Sequence, residues 1–347
     1  MTEISSLGEF GLISHLTDHI QTANSSTIKG IGDDAAGLEY KEKEVLVTTD
    51  LLLEGIHFDL TYVALKLLGY KAAVTGFSDI YAMNGQPKQL TVSVGVSKRF
   101  SVEDLDELYL GIEYACERYG VDIVGGDTSS SLTGLCISIT CIGAADKDKI
   151  VYRNRAKETD LICVSGDLGS AYMGLQLLER EKAVHQGETD FTPDFAGKEY
   201  LLERQLRPEA RKDIIDILAK NGIVPTSMID VSDGLASELL HICKQSEAGC
   251  VIYEERIPID YQTAMMAEQF NMNLTTVALN GGDDYELLFT VPLSLHEKIQ
   301  ELDGIHLIGH ITDVDEGANL ITRDGTHIPL IAQGWTKIVD EDEENVE

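Results

Sequence analysis

Six short stretches of the chain set aspartate beside glycine or small polar residues at the edges of apolar segments. They are Gly30-Ile31-Gly32-Asp33-Asp34-Ala35-Ala36, Thr48-Thr49-Asp50, Phe77-Ser78-Asp79-Ile80, Gly125-Gly126-Asp127-Thr128, Ile229-Asp230-Val231-Ser232-Asp233-Gly234 and Gly281-Gly282-Asp283-Asp284-Tyr285-Glu286. Carboxylates gathered with little basic company repel one another, and burying them unpaired is costly. Hard divalent cations relieve that repulsion. Carboxylate and water oxygens suit Mg²⁺, which in phosphoryl-transfer sites also bridges protein acids to substrate phosphates. The pattern predicts a protein that handles nucleotide phosphates through several magnesium ions. No Ser/His/Asp or Cys/His arrangement for nucleophilic catalysis accompanies these acids.

At 347 residues the chain has room for two domains, and 43% hydrophobic content supplies a real core. Its 27 basic and 59 acidic residues give a net charge of −32. Such a field repels nucleic acids and anionic membranes, and it would repel ATP unless metal ions intervene. The six cysteines form no CxxC pair, and most sit inside apolar runs such as Leu135-Cys136-Ile137. They read as buried thiols in a reducing compartment. No basic-then-apolar leader and no run approaching ~18 apolar residues is present, so the expected location is the cytoplasm.

The elements that must position the acids follow from periodicity. Residues 8–22 are expected to form a helix whose exposed face carries His15 and His19. Val45 to Thr49 reads as a strand ending at Asp50, and residues 62–83 as a helix with Asp79 outside its apolar stripe. Residues 89–96 alternate as a strand, residues 102–119 make an acidic amphipathic helix, and Val121 to Val124 leads as a strand into Gly125-Gly126-Asp127. Leu135 to Gly143 is another strand.

A basic cluster, Tyr152-Arg153-Asn154-Arg155-Ala156-Lys157, marks a change near residue 150. Beyond it come a strand over 160–164, the turn Ser165-Gly166-Asp167-Leu168-Gly169-Ser170 and a helix from Ala171 to about Arg180. That turn is read as a tight connection rather than a phosphate cradle, since it matches neither a P-loop nor GxGxxG. A polar loop over 183–198, helices near 209–221 and 234–244, and strands at 229–231, 249–253 and 286–291 follow. A closing helix near 294–302 completes the unit, and Asp340 to Glu344 reads as a disordered acidic tail.

Taken in order, these motifs resemble the thiamine-monophosphate kinases, members of the superfamily of aminoimidazole ribonucleotide synthetase, selenophosphate synthetase and the hydrogenase maturation protein HypE. The resemblance also rests on Gly8-Glu9-Phe10, Gly55-Ile56-His57-Phe58, Ile80-Tyr81-Ala82-Met83-Asn84-Gly85 and Arg207-Pro208, and it spans nearly the whole chain. It implies an α/β (α+β) protein of two mixed domains of the aminoimidazole ribonucleotide synthetase type. Residues 1–148 would bind ATP and metal and would pair their sheet with that of a second copy in a homodimer. Residues 149–338 would form the second domain, and residues 339–347 the tail. The implied reaction, a step of thiamine cofactor biosynthesis, moves the γ-phosphoryl group of ATP onto thiamine monophosphate. Another ATP-dependent activating enzyme of this superfamily, or a non-catalytic nucleotide-binding partner, are the alternatives.

By resemblance, Asp34, Thr48, Thr49, Asp50, Asp79, Asp127, Asp230 and Asp233 hold magnesium, with Asp33 in a turn or capping role beside Asp34. Tyr109, Gly126, Asp127, Arg153 and Ser232 would meet ATP. His57, Asp283 and Trp335 would meet thiamine monophosphate, Asp283 standing where the family often has the longer glutamate. A phosphate acceptor is already largely a dianion at neutral pH, so no general base is needed.

Overall fold

The computed structural model describes residues 15–17, 19–29, 37–184 and 195–332. A ribbon of β1 (Thr27–Lys29) and β2 (Gly37–Leu38) leads into a first unit. That unit comprises β3 (Glu44–Leu53), α1 (Leu65–Ala82), β4 (Gln86–Val96), α2 (Val102–Tyr119), β5 (Asp122–Ser130) and β6 (Cys136–Ala145). Its sheet order is β3-β6-β4-β5, antiparallel except for the parallel β4–β5 pair. The second unit runs through β7 (Leu161–Ser165), α3 (Ser170–Val184), α4 (Glu199–Leu206), α5 (Lys212–Lys220), β8 (Ser227–Val231), α6 (Leu235–Ser246), β9 (Gly249–Tyr253), α7 (Tyr261–Gln269), α8 (Leu274–Asn280), β10 (Glu286–Val291), α9 (His296–Gln300), β11 (Ile305–Thr312), β12 (Ala318–Ile321) and β13 (His327–Pro329). These strands make one sheet, ordered β13-β12-β9-β11-β7-β10-β8. The architecture is the two-sheet mixed α/β arrangement that the motifs implied.

Helix α2 has the expected bounds because its ends are written in sequence. Ser101 Oγ accepts from the Asp104 amide, the Asp104 carboxylate accepts from the Ser101 amide at 2.8 Å, and Gly120 closes the helix at φ 71°. Helix α1 has no such cap, yet it is buried on almost every side. It lies on β3, β4 and β6, packs along α2, and touches β8 of the second unit. A helix that is apolar all round needs protein all round. The second sheet meets it with a double-sided interior. Cys163, Met228, Leu287 and Phe289 join the core that contains Phe77 of α1, while Ile162, Val164, Ile229 and Leu288 join a second core under α6.

Several elements differ from expectation. Strand β3 continues past Asp50 to Leu53, and β5 runs straight through Gly125-Gly126-Asp127, because β4 and β6 offer pairing partners along their full lengths. The helix near 209–221 is α5, preceded by a separate α4. The chain does not close with a helix at 294–302. Three further strands follow, and β11 pairs with both β7 and β9 inside the sheet. His306, Gly309 and His310 interrupt its apolar pattern, which hid it. Of the expected helix over 8–22, residues 8–14 and 18 lie outside the described residues, 15–17 are helical and 19–22 are not. Residues 185–194 of the polar loop and the tail 340–344 also lie outside the described residues. His15 and His19 face α2, at 2.8 Å from Asp106 and 2.9 Å from Glu113. Among the described residues no helix is long and apolar enough to cross a membrane, and the six cysteines are free thiols.

The contact between α1 and α2 is a backbone contact. A Cβ on Gly69 would lie 2.0 Å from the Leu108 carbonyl oxygen, and one on Gly111 would lie 1.9 Å from that of Lys66. Alanine favours an isolated helix by ~1 kcal/mol over glycine. Here the rigid carbonyl cannot give way, so Gly111→Ala should destabilise the protein by about 1–3 kcal/mol, read as a fall in the urea midpoint; a rise would show that the helices can part freely.

Candidate active site

Helix α1 carries one polar stripe. Lys71, Thr75, Ser78 and Asp79, at spacings of four, seven and eight, share a face in an otherwise apolar helix. Opposite that stripe, alternation along β3 turns Thr48 and Asp50 inward and leaves Val47, Thr49 and Leu51 exposed. The end of β8 adds Asp230, buried to 3% exposure.

Three carboxylates thus approach from three elements. Thr48 Oγ1 donates to Asp79 Oδ2, and Ser78 Oγ donates to Asp230 Oδ2 at 2.7 Å. Asp50 Oδ2 is buried and accepts no hydrogen bond. Burial, then the charges of Asp79 and Asp230, push the Asp50 carboxyl up to about 7. Burial also raises Asp79, against the Thr48 hydrogen bond and the Arg153 charge, and raises Asp230, with Asp79 adding to the effect. Nearby Glu238 of α6 is pushed up to about 8, chiefly by burial, although its Oε1 accepts the Asp233 amide at 3.1 Å.

Among the described residues no group of three or more His, Cys, Asp or Glu side chains is gathered closely enough to cage an ion alone. Mg²⁺ needs no such cage, since it keeps waters and takes one or two carboxylates together with substrate phosphates. The orphaned Asp50 oxygen and the mutual repulsion of the three acids fit such an ion.

Two cavities meet this cluster. One, of about 740 Å³, is lined by Asp50, Lys71 and Thr75, by the loop Gly55 to Asp59, by Tyr62, Glu179 and Lys182, and by Ser232, Asp233, Asp283 and Tyr285. The other, of about 410 Å³, is lined by Thr48, Asp79, Met83, Arg153, Asn154 and Met228. Asp50 therefore faces one space and Asp79 the other. Both spaces are lined by residues of the first unit and of the chain beyond residue 150. Lys182 reaches Asp59 at 2.6 Å across the rim of the larger, and Tyr62 bonds Glu179 beside it.

The stretch Gly281 to Glu286 divides its labour by alternation. Asp284 and Glu286 point away from the cavity. Asp284 accepts the Gly169 amide at 2.8 Å, and Glu286 is held by Ser165, by Arg204 at 2.9 Å and by Arg211. The amides of the 165–170 turn are thus partly taken by a protein carboxylate, as a tight connection requires. Asp283 and Tyr285 face the cavity, both with left-handed backbones, φ 59° and 53°. Tyr285 donates to Asp283 Oδ1 at 3.0 Å, and Lys71 donates to Oδ2 at 2.9 Å. Burial works against the Asp283 anion, but the Lys71 charge prevails and holds its carboxyl below the usual range.

The expected site residues therefore fall into groups. Asp50, Asp79 and Asp230 form the acidic cluster with Thr48 and Arg153 beside it, and His57, Ser232, Asp233 and Asp283 line the larger cavity. The Leu53 amide donates to His57 Nδ1 at 3.0 Å, which leaves Nε2 as the proton-bearing nitrogen in the neutral ring. Thr49 is not brought in, because strand alternation turns it outward against Thr140 at 3.2 Å. Tyr109 is buried in the core under α2 and lines neither cavity.

Asp127 stands in register with Ser93, Ser138 and Leu51, three strands from β3 and on the exposed outer face. At ~4.8 Å per strand it is about 14 Å from β3 and on the opposite side of the sheet from Asp50. Gly126 sits so close to the β4 backbone that a Cβ would lie 1.9 Å from Val92 O. Asp33, Asp34 and Trp335 lie outside the described residues. Lys71, Tyr62, Glu179, Lys182 and Tyr285 line the cavity without having been anticipated. The signal for Lys71 is its place one turn before Thr75 and two before Ser78 and Asp79.

Residues 32–145 match the AIR synthase related protein, N-terminal domain, family model. The thiamine-monophosphate kinase of Aquifex aeolicus is 34% identical over 315 residues, 88% of this chain and 96% of that protein. The chain belongs to the thiamine-monophosphate kinase family. The Bacillus subtilis thiamine-monophosphate kinase is 32% identical, covering 95% of this chain and 99% of its own length. A solved structure described as AaThiL complexed with AMPPCP and TMP aligns at a TM-score of 0.71 and 32% identity, over 94% of this chain and 97% of that one. A HypE structure in complex with ATP, at 18% identity and a TM-score of 0.72, shares the fold. Membership in the thiamine-monophosphate kinase family makes this chain a phosphotransferase whose acceptor is a phosphate group.

The raised acids give the stability of this kinase a sign with pH. Asp50 releases its proton at about 7 when folded and near ~3.9 when unfolded. Between those values the folded state binds more protons, so stability falls as pH rises. In chelator, the urea midpoint should drop between about pH 5 and pH 8, and Asp50→Asn should flatten the slope. An equal slope in the variant would remove Asp50 as a source of the effect.

Proposed function

We propose that the chain phosphorylates thiamine monophosphate with ATP by direct in-line transfer at the junction of the two cavities, as a homodimer with several Mg²⁺ ions. The observation that carries this reading is the placement of Asp50 on one cavity and Asp79 on the other, with buried Asp230 beside them. The thiamine-monophosphate kinase relatives, and the related structure complexed with AMPPCP and TMP, support the choice of ATP and thiamine monophosphate.

In the reaction, an oxygen of the acceptor phosphate attacks the γ-phosphorus and the bond to the β-phosphate oxygen breaks, giving thiamine diphosphate and ADP. Arg153 faces the nucleotide from the smaller cavity, and Ser232 approaches it from the end of β8. His57 offers Nε2–H, and Phe58 and Tyr62 offer aromatic surface, to the acceptor. Asp50, Asp79 and Asp230, with Thr48, are the residues that would hold Mg²⁺, which when bound supplies charge neutralisation between the two polyanions. No side chain is asked to remove a proton, since the attacking oxygen is already anionic.

The homodimer accounts for Asp127. Val45, Val47 and Leu51 present an apolar outer face on β3, Val47 being 66% exposed, and Asp127 lies on that same face of the sheet. A second copy packed there covers the apolar residues together with Asp127, which makes Asp127 a residue of the dimer face. Val45→Asp should then shift the protein from dimer to monomer in light scattering. A wild-type protein that is monomeric at micromolar concentration would refute the pairing.

Purified protein with ATP, Mg²⁺ and thiamine monophosphate should release thiamine diphosphate, and product no greater than in a no-enzyme control would end this reading. Asp50→Asn should lower kcat by roughly a hundredfold or more and raise the Mg²⁺ concentration needed for half-maximal rate. Unchanged kinetics would remove Asp50 from the site.

A further inference from the structure

A phosphate dianion entering the larger cavity meets Asp50, Asp59, Glu179, Asp233 and Asp283 on its walls. Among the described lining residues the lysines are Lys71 and Lys182. Lys182 is at the rim, bound to Asp59 and 34% exposed along its side chain. Lys71 is deep, with its side chain 11% exposed, one helical turn from the cavity-lining Thr75. Asp283 cannot itself receive a phosphate, and both its oxygens are committed, Oδ2 to Lys71 and Oδ1 to Tyr285.

Resting on the proposed kinase reading, we propose that Lys71 binds the phosphate of the acceptor and that Asp283 is the residue that positions it. The ammonium has three protons. One goes to Asp283 Oδ2 at 2.9 Å and one to the Gln205 carbonyl at 3.1 Å. The Gln205 amide, turned so that its nitrogen donates to the Ala171 carbonyl at 3.1 Å, offers its oxygen to the third at 3.3 Å. That is the longest of the three contacts and is made to a neutral acceptor. An anionic phosphate oxygen makes the stronger, charge-assisted bond and displaces it. The other two contacts hold the nitrogen in place, so little freedom is lost when phosphate arrives. A nearly dry lysine also acts through a lower dielectric than an exposed one, which favours Lys71 over Lys182.

The roles separate by kinetics. Lys71→Met should lower kcat/KM for thiamine monophosphate at least about tenfold while the KM for ATP stays within about twofold, the size expected for one lost charge-assisted hydrogen bond. Because this variant leaves Asp283 unpaired, the decisive comparison is Lys71→Met/Asp283→Asn against Asp283→Asn alone. The double variant carries no unpaired charge, and it should remain at least about tenfold below the single variant. Were Lys71 present only to neutralise Asp283, the two would be equally active, and the proposal would be wrong. A Lys71→Met protein as active as the wild type would overturn it as well. A wild-type protein that makes no thiamine diphosphate would instead refute the kinase reading itself.

Discussion

Helix α1 has protein on almost every side, and the site depends on that confinement. Its apolar faces are fixed by β3, β4 and β6 below, by α2 through the Gly69 and Gly111 backbone contacts, and by β8 from the second unit. A helix so placed can neither roll nor slide without opening a core. Its one polar stripe is therefore a rigid ruler, with Lys71 and Asp79 eight residues apart, about 12 Å at 1.5 Å per residue. Each cavity meets that ruler at a different mark.

The acids show how the same residue type serves opposite ends. Asp284 and Glu286 are buried with amides and two arginines around them, and they brace the turn at 165–170 against β10. Asp283, between Gly282 and Asp284 in a left-handed backbone, looks the other way and holds a lysine. Asp50 has an oxygen with no partner at all. Paired carboxylates stiffen the scaffold, whereas the incompletely satisfied group is held in readiness for a ligand. The arginine-braced knot supplies the rigidity that lets strained residues persist beside the cavity.

Much of this was legible in the order of the aspartates. The helix carrying Asp79 and the strand carrying Asp230 were anticipated, whereas Asp50 and Asp127 were expected at strand ends but lie inside β3 and β5. Elements α2, β9 and β10 had their bounds written in caps and apolar runs. What escaped was whatever depended on partners distant in sequence. The continuation of β5 through two glycines comes from pairing with β4, and β11 is a strand because β7 and β9 flank it. Lys71 looked like an ordinary helical lysine, because its partner Asp283 is 212 residues away. The division of Asp283 from Asp284 depends on a positive φ that no side-chain chemistry announces. The outward aim of Thr49 was visible in the alternation of β3, but the motif drew attention to its chemistry instead.

The interleaving of the two units has a consequence for synthesis. The first unit is complete at Ala145, but the face of α1 that touches β8 waits for Ser227–Val231 to be made. At ~5–20 residues per second a ribosome needs roughly 4–16 s to cover that interval. For those seconds the nascent chain exposes an apolar wall with nothing to lay against it. A chaperone that shields this wall, or a slow stretch of translation before residue 227, would decide how much of the protein is recovered rather than how stable it is once made.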